Sequence, residues 1–403
     1  MKLPFLLQPS ALSAVAAAAL VAACGGGGTS SSNAPGSLRV AITDAPACGY
    51  DAVNVTVEKV RVHQSASAGD ADSGWSEVVL NPARKLNLLD LTNGVLAELG
   101  QTELPSGSYS QLRLQLAGNG MGAPYANSLV LTGGDGSEIP LDTPSAQQTG
   151  LKMNLNLTVQ PNQLADLVLD FDACKSVVKR GNSGRYNLKP VVAVVPLVRN
   201  DAFVAEGQVA AGIALPTTTV SLQQGGVPVK STVPGADGRF VLYPVPAGNY
   251  DLVVSAEGRV TAVMTGVPIT DTSRTYATPL GTAIAPPAGT PRSASGSVAI
   301  GGSSTVPLAS VRATQKVGMT TVERTAANAD ATNGAFALNL VAGVPVFTAY
   351  SASATSLAFT PDAANTTPSK YTVIASTDGK APVSAEADVA TASVTGLTLT
   401  FAP

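Results

Sequence analysis

The chain has 403 residues, a net charge of −3, 13% charged residues and 45% hydrophobic residues. That balance excludes a solvated disordered chain and gives no general attraction to nucleic acid or to anionic lipid headgroups. The length allows two or three domains with cores of their own, and 39 glycines and 28 prolines beside 4% aromatics suit short strands joined by turns, so the expected fold class is all-β.

The N-terminus, MKLPFLLQPSALSAVAAAALVAAC, carries one positive charge, Lys2, ahead of an apolar stretch from Ala11 to Ala23. This stretch is too short for the roughly 20 residues of a membrane-spanning helix, so residues 1–23 read as a signal peptide. Its end, Val21-Ala22-Ala23-Cys24, resembles the bacterial lipoprotein box, which implies lipidation of Cys24. The GGGGTSSSN tract behind it has nothing to pack with. Residues 24–36 are therefore expected to be an acylated cysteine and a flexible tether, with a reach of about 20 Å. Gly25 stands where an Asp would mark inner-membrane retention, so the expected address is the outer membrane, lipid-anchored. Cys48 and Cys174 are the thiols left in that oxidising compartment, and they are expected to form a disulfide.

Residues 37–199 read as a β-sandwich domain. Leu38, Val40 and Ile42 alternate, as do Leu151 through Val159 and Leu167, Leu169 and Phe171, the pattern of sheets with one wet face. In VNVTVEKVRV the apolar parity changes between Val57 and Val60, which places a β-bulge near Glu58-Lys59. NGVLAEL, 93–99, is the one expected helix, short, with Thr92 or Asn93 as its N-cap. The ordered motifs TDAP (43–46), YDAVNVTV (50–57), NLLDLTNGV (87–95), LPSGSYSQLRL (104–114), DFDACKSVV (170–178) and LKPVVAV (188–194) resemble the bacterial domain of unknown function numbered 4382. The resemblance implies an extracytoplasmic, often lipid-anchored β domain with no established activity.

Residues 200–284 restart the pattern. EGQV (206–209), ADGRFVL (236–242), PAGNYDLVV (246–254) and a closing strand near 274–280 resemble the carboxypeptidase regulatory-like domains, small transthyretin-like Greek-key sandwiches. A Pro-rich linker, 285–294, leads to 295–403, where NGAFALNLVAG (333–343) echoes DGRFVLYPVPAG (237–248). The last segment is expected to be a second, degraded regulatory-like domain with an insertion near 351–370. Pro-x-Gly-x-Tyr occurs twice, ahead of Tyr109 and Tyr250. Tyr250 shares parity with Leu252 and Val254 and should face inward, whereas Tyr109 is out of phase with Leu112, Leu114 and Leu116, ahead of the strand or on its other face.

Catalytic constellations are scarce. The single histidine, His63, reads as a strand-end polar residue, and no triad or zinc set is expected around it. Asp70 and Asp72 open an Asp-rich loop that departs from an EF-hand at Trp75 and Asn81, and Asp170 and Asp172 share one strand face. These four are weak metal candidates, more simply solvated carboxylates. A cleft of carboxylates around Asp44, Asp170 and Asp172 is the feature that would instead favour an enzyme. No catalytic residue and no cofactor is expected, and the ligand-binding residues are unknown. The sequence is read as a non-catalytic surface binding or scaffold module whose partners are the membrane, through the lipid anchor, and a glycan or an envelope protein, with no nucleic acid. The alternatives are a carbohydrate-binding protein, suggested by the carbohydrate-binding-like fold grouping of the small sandwiches, and a structural spacer.

Overall fold

The structure, a computed structural model, describes residues 34–44, 49–143, 149–197 and 202–403. Residues 1–33, with the expected signal peptide and Cys24, and Cys48 lie outside these; Gly36, expected as the end of a flexible tether, is instead the first residue of a strand, and Pro35 O accepts the Asn162 N–H at 3.0 Å. The regular secondary structure of the described residues is almost all strand, and none of their helices is long and apolar enough to cross a membrane.

The first sandwich faces a four-stranded sheet against a larger one. The smaller runs Val192–Leu197, Leu164–Phe171, Gly36–Asp44 and Ala97–Leu104 in spatial order, with Gly36–Asp44 parallel to Leu164–Phe171. The larger is centred on Tyr50–His63, which pairs with Ser76–Asn87, Gly107–Leu116 and Ser128–Leu131. The alternating residues meet between the sheets, where Leu38, Val40, Ile42, Leu167, Leu169 and Phe171 are all essentially inaccessible. The register shift between Val57 and Lys59 is the bulge that the parity change required.

The expected helix at 93–99 does not form. Asn93 and Gly94 sit at φ 59° and 80°, a left-handed pair that ends any helix, and the chain continues as strand Ala97–Leu104. Helical turns lie on either side in sequence: a 3-10 turn, Leu88–Leu91, capped by the Asn87 side chain, and the four-residue helix Ala173–Ser176, whose Lys175 N–H is capped by Asp172 at 3.0 Å. Four residues span barely one turn, too few to imprint a 3.6-residue period.

Beyond residue 202 two sandwiches share one topology. In the first of them Ala205–Gln208 pairs antiparallel with Arg239–Leu242 and parallel with Thr275–Tyr276, while Val227–Thr232, Thr219–Gln224, Gly248–Ser255 and Ala262–Ile269 form the facing sheet in that order. In the other, Thr290–Ile300 pairs antiparallel with Ala335–Ala342 and parallel with Val394–Phe401. Thr320–Asn328, Ser310–Val317, Lys370–Ser376 and Val383–Asp388 form the facing sheet in the same order. The sequence echo between 237–248 and 333–343 thus falls on topologically equivalent strands. The Pro-rich join is not free chain: Gly289 N–H donates to Gly258 O at 2.9 Å, and strand already begins at Thr290.

The segment of the last sandwich from Val346 to Pro361, which begins ahead of the insertion expected near 351–370, has a definite role. Val346–Ala349 adds parallel to Ala262–Ile269 of the middle sandwich, Thr360–Pro361 pairs on its far side, and Val341 and Val346 enter the middle core with Tyr350, Leu357 and Phe359 packed against it.

Candidate functional site

The polar face of strand Leu164–Phe171 is the place where sequence and structure part. Alternation puts Leu169 and Phe171 inside and Asp170 outside, and solvent is the expected neighbour. Instead strand Val227–Thr232 of the middle sandwich lies over it. Lys230 Nζ stands 2.6 Å from Asp170 Oδ1, with the two side chains 2% and 10% exposed. Burial raises the Asp170 carboxyl above its ordinary range even though the Lys230 charge and hydrogen bond pull it down. Asp172 divides its carboxylate between capping the short helix and pairing with Lys175 Nζ at 3.0 Å. Burial pulls the Lys175 ammonium down, but the carboxylates of Asp172 and Glu323 outweigh it and raise the value. Burial raises Glu323, held by Arg312 at 3.6 Å. A cavity of about 130 Å³ remains between Asp170, Asp172, Lys175 and Lys230.

Asp44 stands at the end of the neighbouring strand and is 1% exposed. Its Oδ1 accepts the Ala173 N–H at 2.9 Å, while Oδ2 has no partner among the described residues. Burial holds this carboxyl well above the carboxylate range, with the Asp172 and Asp170 charges adding to the effect. Asp44, Asp170 and Asp172 are thus close together, but as a closed junction: two are engaged by lysines and the third is sealed beneath the helix.

The junction joins all three sandwiches. The Asn93 turn of the first docks on the middle one, its Oδ1 accepting the Val241 N–H at 2.6 Å and its Nδ2 donating to Arg239 O at 3.3 Å. From the last sandwich, Asn328 Nδ2 donates to Lys175 O at 2.6 Å, and both Asp330 carboxylate oxygens accept the Gly181 N–H at 2.9 Å. Gln223 and Glu323 exchange a strand-like pair between the middle and last, with Gln223 Nε2 donating to Glu323 O at 2.9 Å and Gln223 Oε1 accepting the Glu323 N–H at 2.7 Å. Of these residues, Lys230, Gln223, Glu323, Asn328 and Asp330 escaped sequence reading, and Asn93 was read as a helix cap. Asn-Gly was the one visible signal, for a turn.

Asp70 and Asp72 lie far from this junction in a loop folded over the outer face of the first sandwich. Asp70 pairs with Arg61 and Arg113, and Asp72 Oδ2 accepts the Gly69 N–H at 2.8 Å. Arg61 and Arg113 face each other directly across two strands, and both guanidinium carbons lie over Trp75, at 4.6 and 4.9 Å from the ring centroid. Asp70 and the indole π-face offset what would otherwise be a like-charge cross-strand pair. His63 closes the same loop, Nδ1 accepting the Ser65 N–H at 2.9 Å and Nε2 lying 3.0 Å from Ser73 O, which fixes the Nε2–H tautomer. Among the described residues no three His, Cys, Asp or Glu side chains gather to hold a metal. All four weak metal candidates are occupied by protein partners, and Asp170 is not the solvated carboxylate expected of it.

Cys174 lies in the short helix, half-buried, and is disulfide-bonded; Cys48, the expected partner, lies outside the described residues. The two Pro-x-Gly-x-Tyr stretches make one and the same bond: Tyr109 Oη donates to Pro105 O at 2.9 Å and Tyr250 Oη to Pro246 O at 2.7 Å. Tyr109 is not on the far side of its strand as its parity suggested: a register shift between Tyr109 and Gln111 returns it to the face of the leucine stripe, opposite Leu157 and in the core of the first sandwich, while Gln111 and Arg113 lie under the 64–75 loop on the outer face.

No curated protein matches the chain. Among solved structures it aligns with the Bacillus anthracis TIE protein at 11% identity, over 91% of this chain and 50% of that one, with a TM-score of 0.18. The chain therefore spans half the length of that protein. It also aligns with a streptococcal ancillary pilin at 8% identity, over 91% of this chain and 99% of that one, with a TM-score of 0.18. The Corynebacterium diphtheriae major pilin SpaA aligns at 11% identity, over 91% and 100%, with a TM-score of 0.17. Scores this low carry no argument about fold or role. Residues 35–190, the first sandwich, match the family described as a domain of unknown function, DUF4382.

Proposed function

We propose that the chain is an outer-membrane lipoprotein, held by acylated Cys24, whose three sandwiches form a non-catalytic scaffold that presents a surface to envelope partners. The observation that carries this reading is the stitching of the sandwiches to one another. Each of the three pairs shares buried or half-buried polar contacts, and the middle and last share a sheet. Of the carboxylates best placed for chemistry, Asp170 is spent on that stitching and Asp172 and Asp44 on holding the short helix beside it, which suits a body that keeps its shape. The glycan reading is the weaker one, because the single tryptophan is already covered by Arg61 and Arg113. The C-terminal pair is proposed to be two regulatory-like domains, on their shared topology and the quoted motifs.

The disulfide is proposed to join Cys174 to Cys48. Asp44 and Phe171 are register partners, and Cys48 follows the first by four residues as Cys174 follows the second by three. Spans this short allow two Cα atoms to come within the ~7 Å that a disulfide needs.

The anchoring is tested by labelling cells with a fatty-acid analogue and fractionating them. The native chain should carry the label and sediment with outer membranes, because two or three acyl chains give stable partitioning. Cys24→Ser should lose the label and its membrane association. A Cys24→Ser chain that stays membrane-bound with an unchanged mature N-terminal mass overturns the assignment.

A further inference from the structure

We propose that Asn93 is a site of spontaneous deamidation which the interface between the first and middle sandwiches protects, so that modification there releases that interface in one direction. The sequence supplies the chemistry. In Asn-Gly the following residue has no Cβ, so its backbone nitrogen approaches the asparagine side chain unhindered. The Gly94 nitrogen attacks Asn93 Cγ, a C–N bond forms, the Cγ–Nδ2 bond breaks, and ammonia leaves with the proton lost from the Gly94 amide. Water then opens the cyclic imide at either carbonyl, leaving residue 93 as aspartate or isoaspartate. Water is the only co-reactant.

The docked geometry opposes this attack. Asn93 Oδ1 is held by the Val241 N–H at 2.6 Å and Nδ2 by Arg239 O at 3.3 Å, so the side-chain amide stands in for one residue of a strand added to Arg239–Leu242. The Asn93 backbone N–H is fixed in turn by Thr232 Oγ1 at 2.7 Å. Swinging Cγ onto the Gly94 nitrogen breaks both side-chain bonds. The turn is also tightly seated, since a Cβ on Gly94 would stand 2.8 Å from Val241 Cγ1. Deamidation therefore proceeds through the undocked fraction.

The product does not dock again. A carboxylate has no N–H for Arg239 O and sets two oxygens against each other, while isoaspartate adds a backbone atom to a turn with no slack. Arg239 O keeps the Gly235 N–H at 2.8 Å, so the docked state is destabilised by the carboxylate oxygen set against it, and hydrolysis of the imide makes the release irreversible.

The full chain, incubated at mildly alkaline pH either native or unfolded in urea, is digested, and the Asn, Asp and isoAsp forms of residue 93 are quantified. Native protein should deamidate at least about ten-fold more slowly, because the rate follows the open population. Equal rates overturn the protection. The release is read separately by hydrogen exchange of the 239–242 segment in the Asn93→Asp chain. Exchange about ten-fold faster than native is expected if the opening equilibrium shifts accordingly, and unchanged exchange overturns it.

Discussion

Where the first sandwich meets the middle one, side chains make the contact: the Lys230–Asp170 pair, the Asn93 amide, and a small apolar patch of Ala41, Val168 and Leu197 with Tyr243 packed against it. Where the middle meets the last, backbone pairing is added to side-chain contacts: strand Val346–Ala349 joins the middle sheet, beside the Gln223–Glu323 pair and a cluster of Val253, Val263, Val317 and Val322. Arg324 crosses that second seam fully buried, its guanidinium pushed down by burial while it donates to Ala256 O at 2.7 Å. The two seams fail differently. A sheet continued across a boundary satisfies its own polar groups and loses stability gradually as side chains are trimmed. A buried ion pair does nothing until one partner goes, and then leaves a charge stranded in low dielectric.

The largest effect is therefore expected at the polar seam. Lys230→Ala should cost about 3–5 kcal/mol, because it leaves Asp170 buried and unpaired. Lys230→Met combined with Asp170→Leu should recover most of that loss, since an apolar pair of similar volume is often no worse than the ions it replaces. Urea unfolding of the three chains decides it. A double variant as unstable as Lys230→Ala would mean that the seam depends on charge itself and not on charge being matched.

The strand seam should respond less sharply. Val346 is 3% exposed and pairs with Ala262, so Val346→Ala removes two methyl groups from a shared core at about 2 kcal/mol, with the residual cavity included. A loss below about 0.5 kcal/mol in the same urea titration would place the added strand outside the cooperative unit of the middle sandwich.

Much of this was legible because strands advertise their faces. Leu167, Leu169 and Phe171 announced an inner face by period alone, and the phase slip at Glu58-Lys59 located a bulge to the residue. Pro-x-Gly-x-Tyr likewise carried its own turn, and both copies fold into the same tyrosine-to-proline bond. The seams were not legible. Asp170 and Lys230 each sit on the polar face of an alternating strand, and nothing local tells a face wetted by water from one covered by a sandwich sixty residues away. The strand loan was hidden for the same reason: VFTA reads as a short strand but does not say whose sheet it joins. NGVLAEL was misread because apolar spacing of helical kind outweighed a dipeptide whose left-handed turn forbids a helix.

The finest distinction between the seams is their dependence on pH. Asp170, Glu323 and Asp44 all have folded values raised above their ordinary ones, with burial the largest cause in each case. A carboxyl raised on folding binds its proton more tightly in the native than in the unfolded chain, so stability falls as pH rises from the unfolded value, about 4, to the folded one. Below that window the groups contribute no slope. The slope reaches at most about 1.4 kcal/mol per pH unit for each group that titrates. Asp44 should contribute most, because it is sealed beneath the helix and half of its carboxylate has no donor among the described residues. Its replacement in Asp44→Asn keeps an acceptor for the Ala173 N–H while removing the titration. The native chain should therefore unfold at lower urea at pH 7 than at pH 5, and the gap should narrow in Asp44→Asn. In Val346→Ala it should persist unchanged, because the strand seam at Val346 holds none of the raised carboxyls. A gap that stays full in Asp44→Asn would show that Asp44 does not carry the pH dependence, and one that closes in Val346→Ala would tie that dependence to the added strand.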